Sequence, residues 1–204
     1  MEPPSRAVAV FGASWAQDGD ALYTESVSLG AALSASGFDV VTGGYGGTME
    51  GVSRGASEAR AESLREGVLC SSLFPYRPLQ GAVGNAYLTH TTDECDLLSR
   101  IRTMTKRTRI FVVMRGTLGT LTELCCVWNM AALARAAGQE PLLVLVYRQP
   151  WEAALNALGA ALAIPSAHAD TLKWVDCAAD VVREAVAFEA PTAVVGAQAG
   201  AGAL

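Results

Sequence analysis

Lysine and histidine are scarce in this chain of 204 residues. Lysine occurs only as Lys106 and Lys173, and histidine only as His90 and His168. Neither lysine is near a glycine-rich turn, which excludes a lysine-containing phosphate loop and disfavours a pyridoxal Schiff base. The two histidines are far apart and have no cysteine at ligand spacing, so no zinc site is expected.

Charge and long apolar runs are also limited. Only 17% of the residues are charged and the net charge is −5, which disfavours a nucleic-acid scaffold. No apolar run approaches the roughly 20 residues that span a bilayer, and the first residues lack the pattern of a secretory signal. The five cysteines form no Cys-x-x-Cys pair, which favours reduced thiols and a cytoplasmic protein.

The sequence is otherwise apolar, with 51% hydrophobic residues and a mean hydropathy of +0.27. Short β-branched blocks alternate with stretches of helical spacing, which predicts a Rossmann-like, doubly wound parallel α/β sheet with helices on both faces. We expect a single domain over residues 6–188 and a mobile Ala/Gly-rich tail over residues 189–204. The predicted strands are 6–11, 38–42, 67–74, 87–91, 109–114, 141–146 and 171–175. The predicted helices are 21–36, 48–61, 92 or 93 to about 108, 121–137, 151–162 and 178–188.

The stretch Arg115–Glu123 joins a predicted buried strand to a predicted helix. Its glycines, Gly116 and Gly119, are expected in the tight turn between them. Ligands of open α/β sheets bind at such turns, because backbone N–H groups and the helix N-terminus point into one crevice. Glu123, one turn into the helix, is predicted to face that crevice. Alternatively, Thr120 and Glu123 form a capping box that only closes the helix terminus.

Two further turns follow predicted strands. Ser14, after Gly12, offers a hydroxyl and an N–H to a phosphate, although an ordinary strand-to-helix turn explains these residues equally well. The stretch Gly43–Met49 has four glycines in its first five residues, more than a turn requires, and does not match Gly-x-Gly-x-x-Gly. We interpret it as a phosphate-facing turn, with a purely structural turn as the alternative.

Arginine supplies most of the positive charge, and five arginines lie between positions 100 and 115. Such a cluster suits an anionic small ligand, and the alternative is a solvated helix face with a subunit contact. Arg100 and Arg102 are competing candidates for the functional side chain, since residues two apart lie on different helix faces. The cluster consists of Arg100, Arg102, Arg107, Arg109 and Arg115.

With these turns in place, the chain resembles the LOG (Lonely Guy) family over residues 8–186. The family segments Gly-Gly-Gly-x-x-Gly-Leu-Met-Gly, Met-His-x-Arg-Lys and Pro-Gly-Gly-x-Gly-Thr-x-x-Glu correspond here to Gly43–Met49, Leu97–Ile101 and Arg115–Glu123. The last is the most specific, because Gly-x-x-Gly-Thr-x-x-Glu is intact. Arg115 and Thr117 stand where the family has proline and glycine, and Leu98 and Ile101 stand where it has histidine and lysine.

The resemblance implies a phosphoribohydrolase that cleaves the N-glycosidic bond of a nucleoside 5′-monophosphate, giving a free base and ribose 5-phosphate. It implies no cofactor, a homodimer or higher homo-oligomer, Glu123 as the catalytic carboxylate and Arg100 as its partner. The residues implied to bind the nucleotide are Gly12, Ser14, Gly43, Gly44, Gly46, Gly47, Thr48, Met49, Gly116, Thr117, Gly119 and Thr120.

A different class of function remains open on the same scaffold, namely a non-catalytic carrier that binds a nucleotide or the molybdenum cofactor. Arg115 and Thr117 differ from the proline and glycine of the LOG family, and this difference in the turn fits a protein that binds a different ligand. A nicotinamide-dependent oxidoreductase is disfavoured, because Thr42 and Gly43 stand where that class has an acidic residue after the second strand.

Overall fold

The computed structural model describes residues 6–73 and 84–190, which form one sheet of seven parallel strands in the order β4-β3-β2-β1-β5-β6-β7. This confirms the predicted doubly wound α/β fold. The strands are β1 Ala7–Phe11, β2 Asp39–Thr42, β3 Arg65–Leu69, β4 His90–Asp93, β5 Ile110–Val113, β6 Leu143–Tyr147 and β7 Leu172–Val175. The helices are α1 Ala21–Ala35, α2 Thr48–Ala59, α3 Leu97–Arg107, α4 Leu118–Ala136, α5 Arg148–Leu162, α6 Ser166–Ala169 and α7 Ala178–Glu189.

Most element boundaries agree with the sequence prediction to within about three residues. The prediction that the third helix begins at residue 92 or 93 is wrong, because Asp93 is the last residue of β4 and pairs with Leu69 of β3. Helix α3 begins at Leu97, where the Asp96 carboxylate accepts a hydrogen bond from the backbone N–H of Ser99 at 2.9 Å. Helix α6 was not predicted.

The predicted strand 67–74 is wrong at its end, because β3 ends at Leu69. Position 74 of that predicted strand, positions 75–83 between the third and fourth predicted strands, and positions 191–204 of the expected tail lie outside the described residues. None of the helices in residues 6–73 and 84–190 combines the length and apolar character that crossing a bilayer requires.

Two apolar layers, one on each face, stabilise the sheet. Strands β1 and β5 are buried along their whole length, as expected for central parallel strands that are covered on both faces. On one face, alternate residues such as Phe11 and Phe111 pack against α3, α4 and α5. On the other face, residues such as Val10 and Val112 pack against α1, α2 and α7. The two faces therefore present different helices to the carboxyl edge of the sheet.

Helices α1 and α2 pack unusually closely because glycine lies at their contact points. A Cβ atom at Gly30 would overlap the carbonyl oxygen of Val52, and one at Gly55 would overlap the carbonyl oxygen of Val27. This close approach fixes α2, whose N-terminus borders the site described next.

Candidate functional site

A cleft of about 220 Å³ opens at the carboxyl ends of β1, β2 and β5. The chain runs outward from β1 to β4 on one side and from β5 to β7 on the other, so the cleft lies where the strand order reverses. Backbone hydrogen bonds tie its three turns together. The N–H of Ala13 donates to the carbonyl of Arg115 at 2.9 Å, and the N–H of Thr48 donates to the carbonyl of Ala13 at 2.8 Å.

The start of α4 bears on the capping box, which was the alternative interpretation of Glu123. The helix begins at Leu118 with Thr117 as its N-cap, so Thr120 is the third helical residue and Glu123 lies in the second turn. The predicted capping box is therefore wrong, because its geometry requires Thr120 at the N-cap itself. Both Thr120 and Glu123 line the cleft, and both are buried.

Arg100 reaches the same cleft from α3 and is 6% exposed. Its guanidinium makes three contacts that fix its position. Nε donates to the carbonyl of Val68 at 2.7 Å, one terminal nitrogen donates to the carbonyl of Gly43 at 3.1 Å, and the other lies 3.4 Å from Oε1 of Glu123. Arg102 is exposed and does not line the cleft. Of the two candidates, the structure thus brings Arg100 to Glu123.

Burial raises the pKa of the Glu123 carboxyl to about 7, and the nearby positive charge of Arg100 only partly opposes this rise. The opposing effect is limited because the ion pair is a single contact at 3.4 Å rather than a bidentate one. A carboxyl group with this pKa exists in both protonation states near neutral pH, as general acid–base chemistry requires.

The glycines of the predicted site fall into two groups. Gly12, Gly43 and Gly119 line the cleft. Gly43 leaves room for Arg100, because a Cβ atom there would overlap the guanidinium. A Cβ atom at Gly119 would meet no atom of the described chain within 4 Å, so this position faces open space in the cleft.

The second group does not line the cleft and has structural reasons to be glycine. Gly44 and Gly47 have φ of 78° and 71°, and side chains there would meet Leu69 and the Ala13 carbonyl, respectively. A side chain at Gly116 would overlap that of Thr120. Part of each glycine-rich turn thus supports the fold rather than a ligand.

The remaining predicted binding residues also divide into two sets. Those that line the cleft are Ser14, Met49, Thr117 and Thr120, and those that do not are Gly44, Gly46, Gly47, Thr48 and Gly116.

The N-terminus of α4 supplies an electropositive wall. Within the described chain, the Thr117 side chain makes no capping hydrogen bond, so the first backbone N–H groups of this helix of 19 residues stay available. Gly119 in this first turn lets a ligand approach them closely. Such a terminus binds phosphate or carboxylate groups without further help.

Tyr45 is a cleft residue that the sequence analysis did not single out. Its hydroxyl accepts a hydrogen bond from the backbone N–H of Cys70 at 2.9 Å, and the Arg100 guanidinium lies 5.9 Å from its ring centroid. The sequence feature that could have identified it is its position as the one large residue between the pairs Gly43–Gly44 and Gly46–Gly47. Val10 and Phe11 also line the cleft, at the end of β1.

The predicted arginine cluster is dispersed in the structure. Arg107 pairs with Glu66 at 2.9 Å, and Arg109 pairs with Glu140 at 3.2 Å. The Arg115 guanidinium lies 5.8 Å from the ring centroid of Trp15. Arg100 is the member of the cluster that lines the cleft.

The described residues contain no group of three or more His, Cys, Asp or Glu side chains that could hold a metal ion. All five cysteines are free thiols. The chemical groups that line the cleft are a carboxylate, a fixed guanidinium, a helix N-terminus and several hydroxyl groups.

The fold and the cleft define a doubly wound α/β protein with a ligand site at its topological switch point. A model of the SLOG cluster4 family matches residues 5–135, and the chain belongs to that family. This result confirms the resemblance to the LOG family as that of a divergent member.

Three solved structures are similar in fold. The molybdenum cofactor binding protein from the phototrophic bacterium Rippkaea orientalis has a TM-score of 0.68 and 17% identity, covering 90% of this chain and 96% of that one. The Moco carrier protein from Chlamydomonas reinhardtii has a TM-score of 0.59 and 17% identity, covering 90% and 98%. The structure of TM1055 has a TM-score of 0.53 and 23% identity, covering 69% and 72%. A comparison with curated proteins gave no significant match.

Proposed function

We propose that the chain hydrolyses the N-glycosidic bond of a nucleoside 5′-monophosphate to give a free base and ribose 5-phosphate. The observation that carries this proposal is the buried Glu123–Arg100 pair in a cleft bordered by the open N-terminus of α4. A carboxylate beside an anion-binding helix terminus is the pair of groups that a phosphorylated ribose requires.

In this mechanism, the phosphate binds to the backbone N–H groups of the first turn of α4, with Ser14 and Thr117 beside it. This contact anchors the ribose and directs its C1′ atom toward Glu123. Because Gly119 carries no side chain, the phosphate approaches the helix without steric conflict.

Bond cleavage then develops positive charge on the ribose ring, and the ionised carboxylate of Glu123 stabilises it. Glu123 also accepts a proton from the water molecule whose oxygen bonds to C1′. The C1′–N bond breaks, its electron pair goes to the base nitrogen, and that nitrogen takes up a proton from solvent. Glu123 then releases the proton it accepted to solvent and is ionised again. Arg100 acts as a positioning residue, because its two carbonyl contacts fix the guanidinium that orients Glu123.

The test is base release from a panel of purine, pyrimidine and N6-substituted nucleoside monophosphates, separated by chromatography. We expect Glu123→Gln to lower kcat by about 100-fold or more, since glutamine keeps the shape but removes the anionic base. Arg100→Lys should lower kcat as well, because one ammonium cannot reach three acceptors on different elements. Glu140→Gln, at the opposite edge of the sheet, is the matched control and should retain full activity.

A second candidate function is non-catalytic binding of a nucleotide or the molybdenum cofactor. The observation that favours it is Thr117, which lines the cleft at a position where LOG enzymes have glycine. The fold likeness over 90% of the chain to a molybdenum cofactor binding protein also supports it. If no monophosphate is hydrolysed, while a ligand present at about 100 times its Kd stabilises the fold by about 3 kcal/mol, this function replaces the first.

We also propose that the protein is a cytoplasmic homo-oligomer. The five free thiols favour a reducing compartment. Leu118 and Leu133, both on α4, are 76% and 61% exposed, and such exposed apolar side chains favour contact with a second copy of the chain.

A further inference from the structure

A second cleft, of about 930 Å³, lies on the other face of the sheet from Glu123. It is an open groove bordered by α1, the N-terminus of α7, the start of α5 and the carboxyl end of β6. Apolar side chains, including Leu22, Pro150 and Ala178, form much of its wall. None of the residues that line it lines the Glu123 cleft, so the two clefts are separate.

Tyr147, the last residue of β6, lines this second cleft and is 5% exposed. Its hydroxyl has no hydrogen-bond partner within residues 6–73 and 84–190, although buried hydroxyl groups normally have one. Burial, and after it the negative charge of Glu25, raises the pKa of this hydroxyl. The hydroxyl is therefore a buried polar group whose surroundings disfavour a negative charge and leave its oxygen free to accept.

Glu25, on α1, lines the same cleft and is half-buried. In the described part of the chain its carboxylate forms no hydrogen bond and no ion pair, and burial raises its pKa. Asp180 adds to the negative field at the Tyr147 hydroxyl. Arg115 also lines the cleft, but its guanidinium lies over the ring of Trp15.

These features point to a positively charged ligand. A primary ammonium has three N–H donors and no acceptor, and it would satisfy the Glu25 carboxylate and the Tyr147 oxygen together. The apolar wall beside them would take up a hydrocarbon or aromatic group attached to that ammonium. We propose that the second cleft binds a small aromatic or aliphatic primary amine, with Glu25 and Tyr147 as the groups that accept its N–H bonds.

The test uses the full chain and three probes of similar size, namely 2-phenylethylamine, 3-phenylpropionate and 2-phenylethanol, with binding measured by calorimetry. We expect only the amine to bind at probe concentrations up to about 10 mM. Glu25→Gln should raise its Kd about tenfold or more, because a charge-assisted hydrogen bond is lost. Tyr147→Phe should raise it by a smaller factor, since a neutral acceptor is lost.

Two control variants make the result specific. Glu140→Gln, an exposed carboxylate far from both clefts, should leave the amine Kd unchanged, and Glu123→Gln should do the same. Tyr147→Phe removes only an unpartnered hydroxyl, so it should not lower the melting temperature, and weaker binding in this variant would not reflect unfolding.

The proposal is overturned if the amine does not bind, or if the propionate or the alcohol binds as tightly. It is also overturned if Glu25→Gln leaves the amine Kd unchanged, or if Glu123→Gln abolishes binding, which would place the amine in the first cleft. None of these outcomes depends on nucleotide hydrolysis, so this proposal and the proposed function can fail separately.

Discussion

Glu123 illustrates how position in the fold changes the chemistry of one side chain. An exposed glutamate is almost fully ionised at neutral pH, whereas burial raises the pKa of Glu123 to about 7 despite the nearby Arg100. The same burial lowers the free energy of unfolding when the Glu123 carboxyl group is ionised. Activity and stability should therefore depend on pH in opposite directions over the same range.

We predict that kcat/KM for nucleoside monophosphate hydrolysis rises with pH and levels off above an apparent pKa of about 7. The physical reason is that ionised Glu123 stabilises the positive ribose and accepts the proton from water. The measurement is initial rate at low substrate concentration between about pH 5 and pH 9. A rate that falls over this range would show that Glu123 acts in its protonated form, as an acid toward the leaving base.

We predict that Glu123 lowers the free energy of unfolding as pH rises. Its folded-state pKa of about 7 exceeds the usual 4.5, so between these values the folded chain binds a proton that the unfolded chain does not. The stabilisation present below about pH 4.5 is then lost as pH rises through 7, by about 3 kcal/mol in all. Urea unfolding at pH 5 and pH 8 should show a larger decrease for the native chain than for Glu123→Gln. Equal decreases in the two proteins would refute the raised pKa.

Gly119 gives a prediction that separates ligand binding from folding. A Cβ atom there meets nothing of the described chain within 4 Å, so Gly119→Ala should keep or raise stability, by up to about 1 kcal/mol from helix propensity. In the complex, the methyl group would occupy space next to the bound phosphate, and KM should rise about tenfold or more. The measurement is steady-state kinetics together with thermal unfolding.

The matched control is Gly159→Ala on α5, where a Cβ atom also meets nothing within 4 Å. It should give the same gain in stability and leave KM unchanged. If both alanine variants bind substrate normally, the phosphate does not lie against the first turn of α4.

At the scale of elements, the contact between α1 and α2 depends on glycine rather than on interlocking large side chains. The helices approach so closely that a methyl group at Gly55 would overlap the backbone of α1 at Val27. Because α2 begins directly after the second glycine turn, this contact also holds Gly43 and Met49 at the cleft.

We predict that Gly55→Ala destabilises the fold by about 1–3 kcal/mol, because overpacking outweighs the gain of about 1 kcal/mol in helix propensity. Urea unfolding measures this difference, with Gly159→Ala as the control that adds a methyl group to a helix without crowding. A Gly55→Ala protein as stable as the native one would show that α1 and α2 separate at little cost.

At the scale of the whole molecule, helix α4 has two roles. Its N-terminal turns form the wall of the first cleft, and farther along it exposes apolar side chains, of which Leu133 is 61% exposed. Exposed apolar side chains on the helix that also borders the cleft suit a contact with a second copy of the chain.

We predict that the native chain sediments as a homodimer or larger homo-oligomer and that Leu133→Glu weakens this association, because it places a charge in an apolar contact. Sedimentation velocity over a range of concentrations measures the change. Leu64→Glu, at an exposed leucine just before β3, is the control and should not change the sedimentation coefficient. A native chain that is monomeric at every concentration would contradict the prediction.

The sequence by itself determined the fold class and the turns that form the first cleft. Short apolar blocks alternating with helical spacing leave few alternatives to a parallel sheet, and the carboxyl ends of its strands must lie at one edge. Gly12 and Gly43 directly follow β1 and β2, and Gly119 lies in the first turn of the helix after β5, so their presence at one edge of the sheet could be predicted from local order. The same order did not distinguish them from Gly44, Gly46, Gly47 and Gly116, which do not line the cleft.

Only the tertiary structure decided which side chains meet there, because these contacts join residues that are distant in the chain. The partners of Arg100 lie 23, 32 and 57 positions away, and no local pattern distinguishes Arg100 from Arg102. The capping box at Thr120 failed because α4 begins three residues earlier than its apolar spacing indicated. Tyr147 and Glu25 are separated by 122 positions, so the packing of α1 against α7, which follows the sheet edge at β7, was needed to bring them to one cleft.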